Sequence, residues 1–302
     1  MRIRSLILLV GIYLLMTNVS LYSDSTKLLR QPDINKTSIV FVYGGDLWTV
    51  SPEGGQAHRL TTHDGMESNP KFSPDGKYIA FSGEYDGNTD VYVIPSEGGQ
   101  PIRLTYHPGS DYVIDWTPDG SKILFNSSRD SYSRFSRFFL VSKDGGFPEP
   151  LEIPMGYLAS YSPDDRFLAY TSLPNAFNTW KRYRGGLAPK IWIFNFADKS
   201  IKEIPHDRAS DTNPIWMGDK IYFLSDQSRI MNLFSYDIKT EKVTELVKQK
   251  DFDIKSASGG DGLIVYESER KERYSSRYRR HRSANLILAC SRSRIFQSSS
   301  GG

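Results

Sequence analysis

Cysteine is almost absent from this sequence: among 302 residues the only one is Cys290. A single cysteine excludes an internal disulfide and any metal site built from several cysteines. Histidine is also scarce, and none of the five histidines stands in a metal-ligand spacing such as H-E-x-x-H. The five, which we expect at the surface, are His58, His63, His107, His206 and His281. We therefore predict no metal site and no cofactor.

Motifs of nucleophilic catalysis are missing as well. No G-x-S-x-G occurs, so the sequence predicts no sharp turn that would expose a reactive serine. Cys290 lies in a segment without any pattern that would place a base beside a thiol. We predict that this chain carries no catalytic residue.

The sequence has no apolar run long enough to span a bilayer, for which about 20 residues are needed. Its first apolar stretch, residues 6–16, follows Arg2 and Arg4 and precedes the polar, small residues 17–23. This order is typical of a secretory signal peptide, which we predict over residues 1–23. An uncleaved interfacial anchor is the alternative. We expect a periplasmic or extracellular protein without a transmembrane anchor, with a cytoplasmic location as the alternative.

An internal repeat organises the middle of the chain. Residues 73–76 read S-P-D-G, residues 117–120 read T-P-D-G and residues 162–165 read S-P-D-D, a spacing of about 45 residues. Proline and Asp fit the two corners of a type I turn, and Gly accepts the backbone conformation that re-enters a strand. Asp165 replaces that glycine because Asp adopts the left-handed region more readily than most residues. Each copy therefore predicts a tight turn between antiparallel strands.

The segments between these turns are strand-like. They are short, rich in β-branched and aromatic residues and include residues 47–50, 91–94, 138–141, 191–194 and 233–236. Four short strands per repeat of 40 to 50 residues, without helices, are typical of one blade of a β-propeller. We predict an all-β propeller of four-stranded blades over residues 31–269, with five complete blades and a partial sixth. The blades begin near Gln31, Ser68, Asp111, Tyr157 and Asp211, with the sixth at Asp251.

The repeat pattern ends inside the sixth blade. The chain has a net charge of +3, but residues 270–302 are rich in Arg and Lys, and Glu272 is their single acidic residue. We interpret this segment as an aberrant basic tail, disordered or read out of frame. The alternative is a tail that binds nucleic acid or anionic lipid. Residues 1–269 carry a net negative charge once this tail is subtracted, and that charge, together with export, disfavours a nucleic-acid partner. A propeller missing part of a blade is expected to expose apolar edges that favour association with other domains or copies.

Several segments resemble one known family. The runs D-L-W at 46–48, E-G-G-Q-A at 53–57, R-L-T at 59–61 and above all W-K-R-Y-R-G-G at 180–186 are similar to the N-terminal six-bladed propeller of tricorn-type proteases. The resemblance implies a longer protein with a second, seven-bladed propeller, a PDZ module and a serine-peptidase domain. It implies that this propeller is non-catalytic and guides or gates oligopeptides. It also implies an arginine pair after the second blade that anchors the peptide C-terminus, but residues 106–110 read Y-H-P-G-S.

The fourth blade contains an insertion, residues 175–189, in which we place a candidate contact surface. Its residues Trp180, Arg182, Tyr183 and Arg184 combine aromatic packing with carboxylate pairing, which suits a peptide terminus or a neighbouring domain. The alternative is internal scaffolding, with a Gly-Gly turn and the two aromatic side chains filling the interface between blades.

A second loop has spacing that partly resembles a calcium site. Asp86, Asn88, Asp90 and Glu97 follow the EF-hand order, but Val91 stands where that loop needs glycine. We interpret it as a hairpin loop.

The expected partners of the chain are peptides or the peptidase domains of a longer protein, with association into a homo-oligomer as a further expectation. The functional alternative is a stand-alone, TolB-like propeller that binds proteins in the cell envelope.

Overall fold

A computed structural model describes residues 29–131, 135–174 and 180–271, together with the backbone of 282–290 and 295–296. Side chains are described up to Ser268. The predicted signal peptide and most of the predicted basic tail therefore lie outside the described residues, as does Cys290 beyond its backbone. Among the described residues, no helix is long and apolar enough to cross a membrane.

The described chain consists of β-strands joined by turns and loops, in the following order. The strands are β1 (Arg30–Ile34), β2 (Ile39–Tyr43), β3 (Asp46–Val50), β4 (His58–Arg59), β5 (Glu67–Phe72), β6 (Tyr78–Glu84), β7 (Thr89–Pro95), β8 (Ile102–Arg103), β9 (Asp111–Trp116), β10 (Lys122–Ser127), β11 (Arg137–Ser142), β12 (Glu149–Pro150), β13 (Leu158–Tyr161), β14 (Phe167–Thr171), β15 (Ile191–Asn195), β16 (Ile201–Glu203), β17 (Asp211–Met217), β18 (Lys220–Ser225), β19 (Asn232–Asp237), β20 (Val243–Glu245), β21 (Ile254–Gly260), β22 (Leu263–Lys271), β23 (Arg282–Cys290) and β24 (Ile295–Phe296).

Each blade is an antiparallel sheet of four strands that are consecutive in the chain. Strands β1–β4, β5–β8, β9–β12, β13–β16 and β17–β20 form five complete blades. The sixth sheet begins with β21 and β22 and continues, in backbone only, as β23 and β24. The predicted fold class, a propeller with five complete blades and a partial sixth, is confirmed. Five blades, not six, are complete in the part of the chain whose side chains are described.

The predicted turns join the first and second strands of their blades. The N–H of Gly76 donates to the carbonyl of Ser73 at 2.8 Å, and Asp165 donates to Ser162 at 3.0 Å in the same way. Asp165 has a φ of 53°, the left-handed conformation predicted for the residue in the glycine slot. The Ser73 hydroxyl also donates to the Asp75 carboxylate at 2.7 Å, which closes the turn from inside.

Apolar clusters fill the space between neighbouring blades. Five clusters fill the interfaces between consecutive blades, from the interface of blades 1 and 2 to that of blades 5 and 6. A further cluster joins blade 6 to blade 1, with Val265 packed against Ile34, Ile39 and Phe41. Because each sheet buries both faces against its neighbours, the apolar strands become a ring rather than a flat sheet.

Blades 1 and 6 approach each other closely at their innermost strands. The Ser258 hydroxyl donates to the Asp33 carboxylate, and the N–H of Lys36 donates to Asp261 at 2.8 Å. A Cβ atom at Gly260 would lie only 2.4 Å from the Ile34 carbonyl oxygen, so this contact requires glycine. The predicted apolar edge at this joint is therefore covered along the inner strands.

The ring has two faces that differ in their connections. Neighbouring strands alternate in direction, so the turns between the first and second strands, which contain proline in blades 2, 3 and 4, lie at one end of the ring, which we call the turn face. The connections between the second and third strands, and between successive blades, lie at the other end, which we call the loop face. The insertion between β14 and β15 therefore belongs to the loop face.

Candidate functional site: the blade-4 insertion and the central channel

The insertion in blade 4 extends across the loop face towards blades 5 and 6. Residues 175–179 lie outside the described part of the chain, whereas residues 180–190 are described. The N–H of Ala188 donates to Gly185 at 3.0 Å, which forms a turn before β15 begins. A Cβ atom at Gly185 would lie 2.2 Å from the Tyr183 hydroxyl, so glycine is needed for that ring to fold back over the turn.

Arg184 ties the insertion to blade 5. Its Nη1 lies 2.9 Å and 2.8 Å from the two carboxylate oxygens of Asp226, and its Nη2 donates to the Asp226 carbonyl at 3.0 Å. The Asp226 side chain is only 1% exposed and also accepts the N–H of Ser210 at 2.8 Å. A buried carboxylate needs such partners, since an unpaired charge is costly away from water. Arg184 therefore holds the insertion in place.

Lys181 and Arg182 make the remaining anchoring contacts. The Lys181 ammonium lies 2.5 Å from the Asp253 carboxylate, just before blade 6. The Arg182 Nε donates to the Arg229 carbonyl at 2.9 Å, in the loop after β18 of blade 5. The insertion thus spans three blades with polar contacts, which sequence reasoning did not predict because the partners are far away in the chain.

Trp180 and Tyr183 remain near solvent. Their rings stack with centroids 5.8 Å apart, and Trp180 is 62% exposed. The predicted alternative in which both rings fill the interface between blades is therefore wrong for Trp180. The structure brings the four predicted site residues together, but gives Arg184 and Arg182 contacts with blade 5 and leaves Trp180 exposed.

A cavity of about 500 Å³ lies between the inner strands at the axis of the ring, and we call it the central channel. The inner strands of all six blades line it, together with Pro74, Pro118 and Pro163 from the proline-containing turns. The repeated sequence marker therefore has a place in the structure: its prolines, in blades 2, 3 and 4, line one side of the channel at the turn face.

Charged side chains from blades 1 and 2 meet in the channel wall. The Lys71 ammonium lies 3.5 Å from the Asp33 carboxylate and also contacts the Ser258 hydroxyl. Asp33 further accepts the N–H of Phe72 at 2.8 Å and the hydroxyl proton of Ser258. These contacts cross from blade 1 to both of its neighbours, so they also help to close the ring.

Asp115 of blade 3 is a second carboxylate in the channel wall. One of its oxygens accepts the N–H of Trp116 at 2.9 Å. Burial raises the pKa of Asp115 to about 6, since desolvation outweighs the opposing effect of the Lys71 ammonium. The nearby Asp33 charge also raises this pKa, while a hydrogen bond with Ser160 lowers it.

The inner strands place these groups by a register that the sequence shows only indirectly. Asp33, Lys71, Asp115, Ser160, Ile215 and Ser258 hold the same position in the six inner strands, as their pairing with the second strands shows. In blades 2, 3 and 4 this position lies two residues before the Ser or Thr of the turn marker. That fixed offset is the signal that sequence reasoning missed.

The calcium-like spacing forms a hairpin loop between β6 and β7, as predicted. Asp86 and Asp90 both pair with Arg103, at 2.9 Å and 2.6 Å, and Asn88 donates to Asp90 and to the His107 carbonyl. An arginine therefore stands where a calcium ion would need open carboxylates. Among the described residues, no three His, Cys, Asp or Glu side chains gather as a metal site.

Two histidines show how far the surface expectation holds. His58 is exposed, in agreement with the prediction. The side chain of His206 is only 9% exposed and lies 3.3 Å from the Asp211 carboxylate, so the surface prediction is wrong there. His281 lies outside the described residues.

Comparison with known proteins identifies relatives of this chain. Residues 26–271 match the family described as the tricorn protease N-terminal beta propeller domain. Tricorn protease homolog 1 of Streptomyces coelicolor is 34% identical over 245 residues, which cover 80% of this chain and 23% of that protein. The chain spans about a fifth of the length of the curated relatives it matches.

Solved structures share the fold. The crystal structure of the tricorn protease superposes with a TM-score of 0.76 at 22% identity, covering 91% of this chain and 26% of that one. TolB from Acinetobacter baumannii superposes with a TM-score of 0.62 at 19% identity, covering 94% and 65%. Since the family match extends over most of the chain, this protein belongs to the family of tricorn protease N-terminal β-propeller domains.

Proposed function

We propose that this chain is the non-catalytic, six-bladed propeller of a tricorn-like serine peptidase. It guides or gates oligopeptides towards catalytic domains that lie in other parts of such a protein. The observation that carries the proposal is the central channel, in a chain whose family belongs to a protease. The channel offers a route for an extended chain, and proteolysis belongs to the whole relatives rather than to this propeller.

The dimensions and chemistry of the channel support this role. A cavity of about 500 Å³ lies within the range of about 300 to 1,000 Å³ that is common for ligand pockets. Its wall contains the aromatic residues Trp116 and Trp216 and a few polar residues, among them Ser160 and Asn213. Apolar surface with a small number of polar contacts suits peptides of varied sequence, because backbone groups find partners without demanding one side chain.

Fluorescence titration tests whether the channel admits peptides. Of the five tryptophans, Trp116 and Trp216 line the cavity, whereas Trp180 lies on the loop face. Short peptides of three to six residues, added to the full chain carrying Trp180→Phe, are expected to change the remaining emission in a saturable way. Mass spectrometry of the same mixtures is expected to show intact peptides. No saturable change would overturn the proposal, and peptide cleavage would overturn its non-catalytic part.

We also propose that Trp180, Arg182 and Tyr183 form the contact surface of the insertion, with Arg184 supporting them from behind. A stacked aromatic pair beside an arginine, with Trp180 exposed and Tyr183 half-buried, is typical of interface hot spots in its composition. In a full-length relative that carries the W-K-R-Y-R-G-G run, the substitution equivalent to Trp180→Ala is expected to lower peptide turnover or weaken assembly by about tenfold. The matched control is the substitution equivalent to Phe147→Ala, because Phe147 is 97% exposed on the opposite, turn face. Equal effects of both substitutions would overturn the assignment.

For location we propose export, on the basis of the sequence of residues 1–23. Residues 1–30 fused to a reporter enzyme that folds only outside the cytoplasm are expected to give activity. The matched control replaces Leu8 and Leu9 by Asp, which interrupts the apolar run. No activity in either fusion would favour a cytoplasmic protein, and equal activity of both would show that the apolar run does not direct export. Saturable peptide binding in the experiment above would favour the peptidase propeller over a TolB-like protein-binding propeller.

A further inference from the structure

Six side chains occupy the same register in the inner strands and surround the channel. Three of them are charged, two carboxylates and one ammonium group, so this ring carries a net negative charge when Asp115 is ionised. The members are Asp33, Lys71, Asp115, Ser160, Ile215 and Ser258.

Asp33 uses its hydrogen-bonding capacity within the protein. One carboxylate oxygen accepts from Ser258 and lies 3.5 Å from Lys71, and the other accepts the N–H of Phe72 at 2.8 Å. Its side chain is 7% exposed. Lys71 therefore neutralises Asp33 first, and the Asp33–Lys71 pair contributes structure rather than a free charge.

Asp115 is different, because no cation in the described residues lies within ion-pair distance of its carboxylate. Its contacts are the N–H of the next residue and a hydrogen bond with Ser160. The charged and titratable groups around it are Lys71, Asp33 and Tyr161. Trp116, Tyr161 and Trp216 belong to the same wall, although their rings are largely buried. A carboxylate that lines a cavity and has no cation at ion-pair distance attracts ammonium groups by its charge.

We propose that Asp115 binds the α-ammonium group of a peptide as the peptide passes through the channel, and that this contact sets which end of the peptide leads. The inference rests on the proposed peptide-guiding function. Asp115 receives the ammonium group as a cation at contact distance, which Lys71 is not, and the neighbouring Ser160 hydroxyl offers a second polar contact.

Matched peptides test the contact on the full chain carrying Trp180→Phe. The probes are alanyl-alanyl-alanine amide, its N-acetylated form and the N-acetylated form with a C-terminal lysine amide. Tryptophan emission is the readout, with isothermal titration as a check. We expect the free amine to bind about tenfold more tightly than the acetylated form. Restored affinity in the lysine peptide would show that the site accepts any ammonium, which would overturn the α-specific part of the inference.

Variants separate Asp115 from general charge. Asp115→Asn is expected to remove the tenfold preference, and Asp115→Glu is expected to keep it. Asp64→Asn is the matched control, because it makes the same charge change at an exposed position on the loop face and should leave the preference intact. A melting curve of each variant checks that the fold is retained. If Asp115→Asn does not fold, Asp115→Ser supplies the neutral variant, with the same expected loss of the preference.

The outcomes distinguish the inference from the proposed function. Equal binding of the free and acetylated peptides overturns the ammonium contact but leaves the peptide-guiding function standing. No binding of either peptide overturns both. A preference that survives Asp115→Asn assigns the ammonium to another group and overturns the inference.

Discussion

Arg184 and Asp226, which are 42 positions apart in the chain, form one hydrogen-bonded unit on the loop face. The arginine reaches both carboxylate oxygens and the main-chain carbonyl of the same aspartate, and that carboxylate also orders the N–H of Ser210. A charged group on an insertion is thus used to attach the insertion to the next blade. This leaves its neighbour Trp180 exposed on the loop face.

Arg184→Ala should destabilise the propeller and release the insertion. The Asp226 carboxylate, 1% exposed, would lose its cation and keep only the Ser210 N–H among the hydrogen bonds described here. We expect a loss of about 2 kcal/mol in the free energy of unfolding, measured by urea denaturation, and faster proteolysis between residues 175 and 190. Arg166→Ala is the control, because Arg166 pairs with Asp164 at an exposed turn and should cost less than about 1 kcal/mol. Equal losses in both variants would contradict the anchoring role.

Gly260→Ala should weaken the joint between blades 6 and 1. The added Cβ would meet the Ile34 carbonyl oxygen at 2.4 Å, and a backbone atom cannot move aside as a flexible side chain would. We expect a loss of about 2 to 3 kcal/mol in unfolding free energy. Gly186→Ala is the matched control, because a Cβ there has nothing within 4 Å, and its stability should stay within about 0.5 kcal/mol. If Gly260→Ala is as stable as the native chain, the close approach of blades 6 and 1 does not require glycine at this position.

The blades were predictable from the sequence because their signals are local. A turn such as S-P-D-G depends on residues that are neighbours in the chain, and the inner strands begin at Arg30, Glu67, Asp111, Leu158 and Asp211, close to the predicted starts. Strand content follows from short apolar runs for the same reason.

The contacts between blades were not predictable in this way. Arg184 could be recognised as a charged residue in an insertion, but its partner is set by how blade 5 packs on blade 4. His206 was expected at the surface, yet the chain that follows it brings Asp211 to 3.3 Å. The channel ring depends on aligning six strands in register, which one sequence reveals only where a turn marker follows at a fixed offset.

Asp115 predicts a pH dependence of stability that a single variant isolates. Its pKa is raised to about 6 in the fold, whereas an unfolded Asp titrates near 3.9. Between these values the folded state binds the extra proton, so this group's contribution to stability is full below pH 4 and is lost as pH rises through 6. Asp115→Asn removes this titration. Between pH 4 and pH 7.5, the free energy of unfolding of the variant should therefore rise by about 1 to 2 kcal/mol relative to that of the native chain.

Paired denaturation curves at those two pH values measure this difference. Glu67 and Asp111 also have raised pKa values because of burial, but they are present in both proteins and cancel in the comparison. A difference between the two proteins that stays constant with pH would mean that Asp115 titrates normally.

One polar pair recurs in several blades with its charges rearranged. Arg59 pairs with Asp46 in blade 1 at 2.8 Å, and Arg103 pairs with Asp90 in blade 2 at 2.6 Å. In blade 4 the same two positions hold Lys190 and Glu203, 3.1 Å apart, so the cation and the anion have exchanged strands. The repeated R-L-T marker is thus one version of a more general contact between the third and fourth strands.

Reversing the pair in blade 4 should therefore be tolerated only when both residues change. Lys190→Asp alone places two carboxylates side by side, and Glu203→Arg alone places two cations side by side. Each single change is expected to cost about 0.5 to 1 kcal/mol in unfolding free energy, since both side chains are partly exposed. The double variant recreates the arrangement of blade 1 and should recover most of this loss. A double-mutant cycle in low salt, repeated at high salt where the coupling should shrink, measures the interaction. Strictly additive losses would show that blade 4 does not use the pair as blades 1 and 2 do.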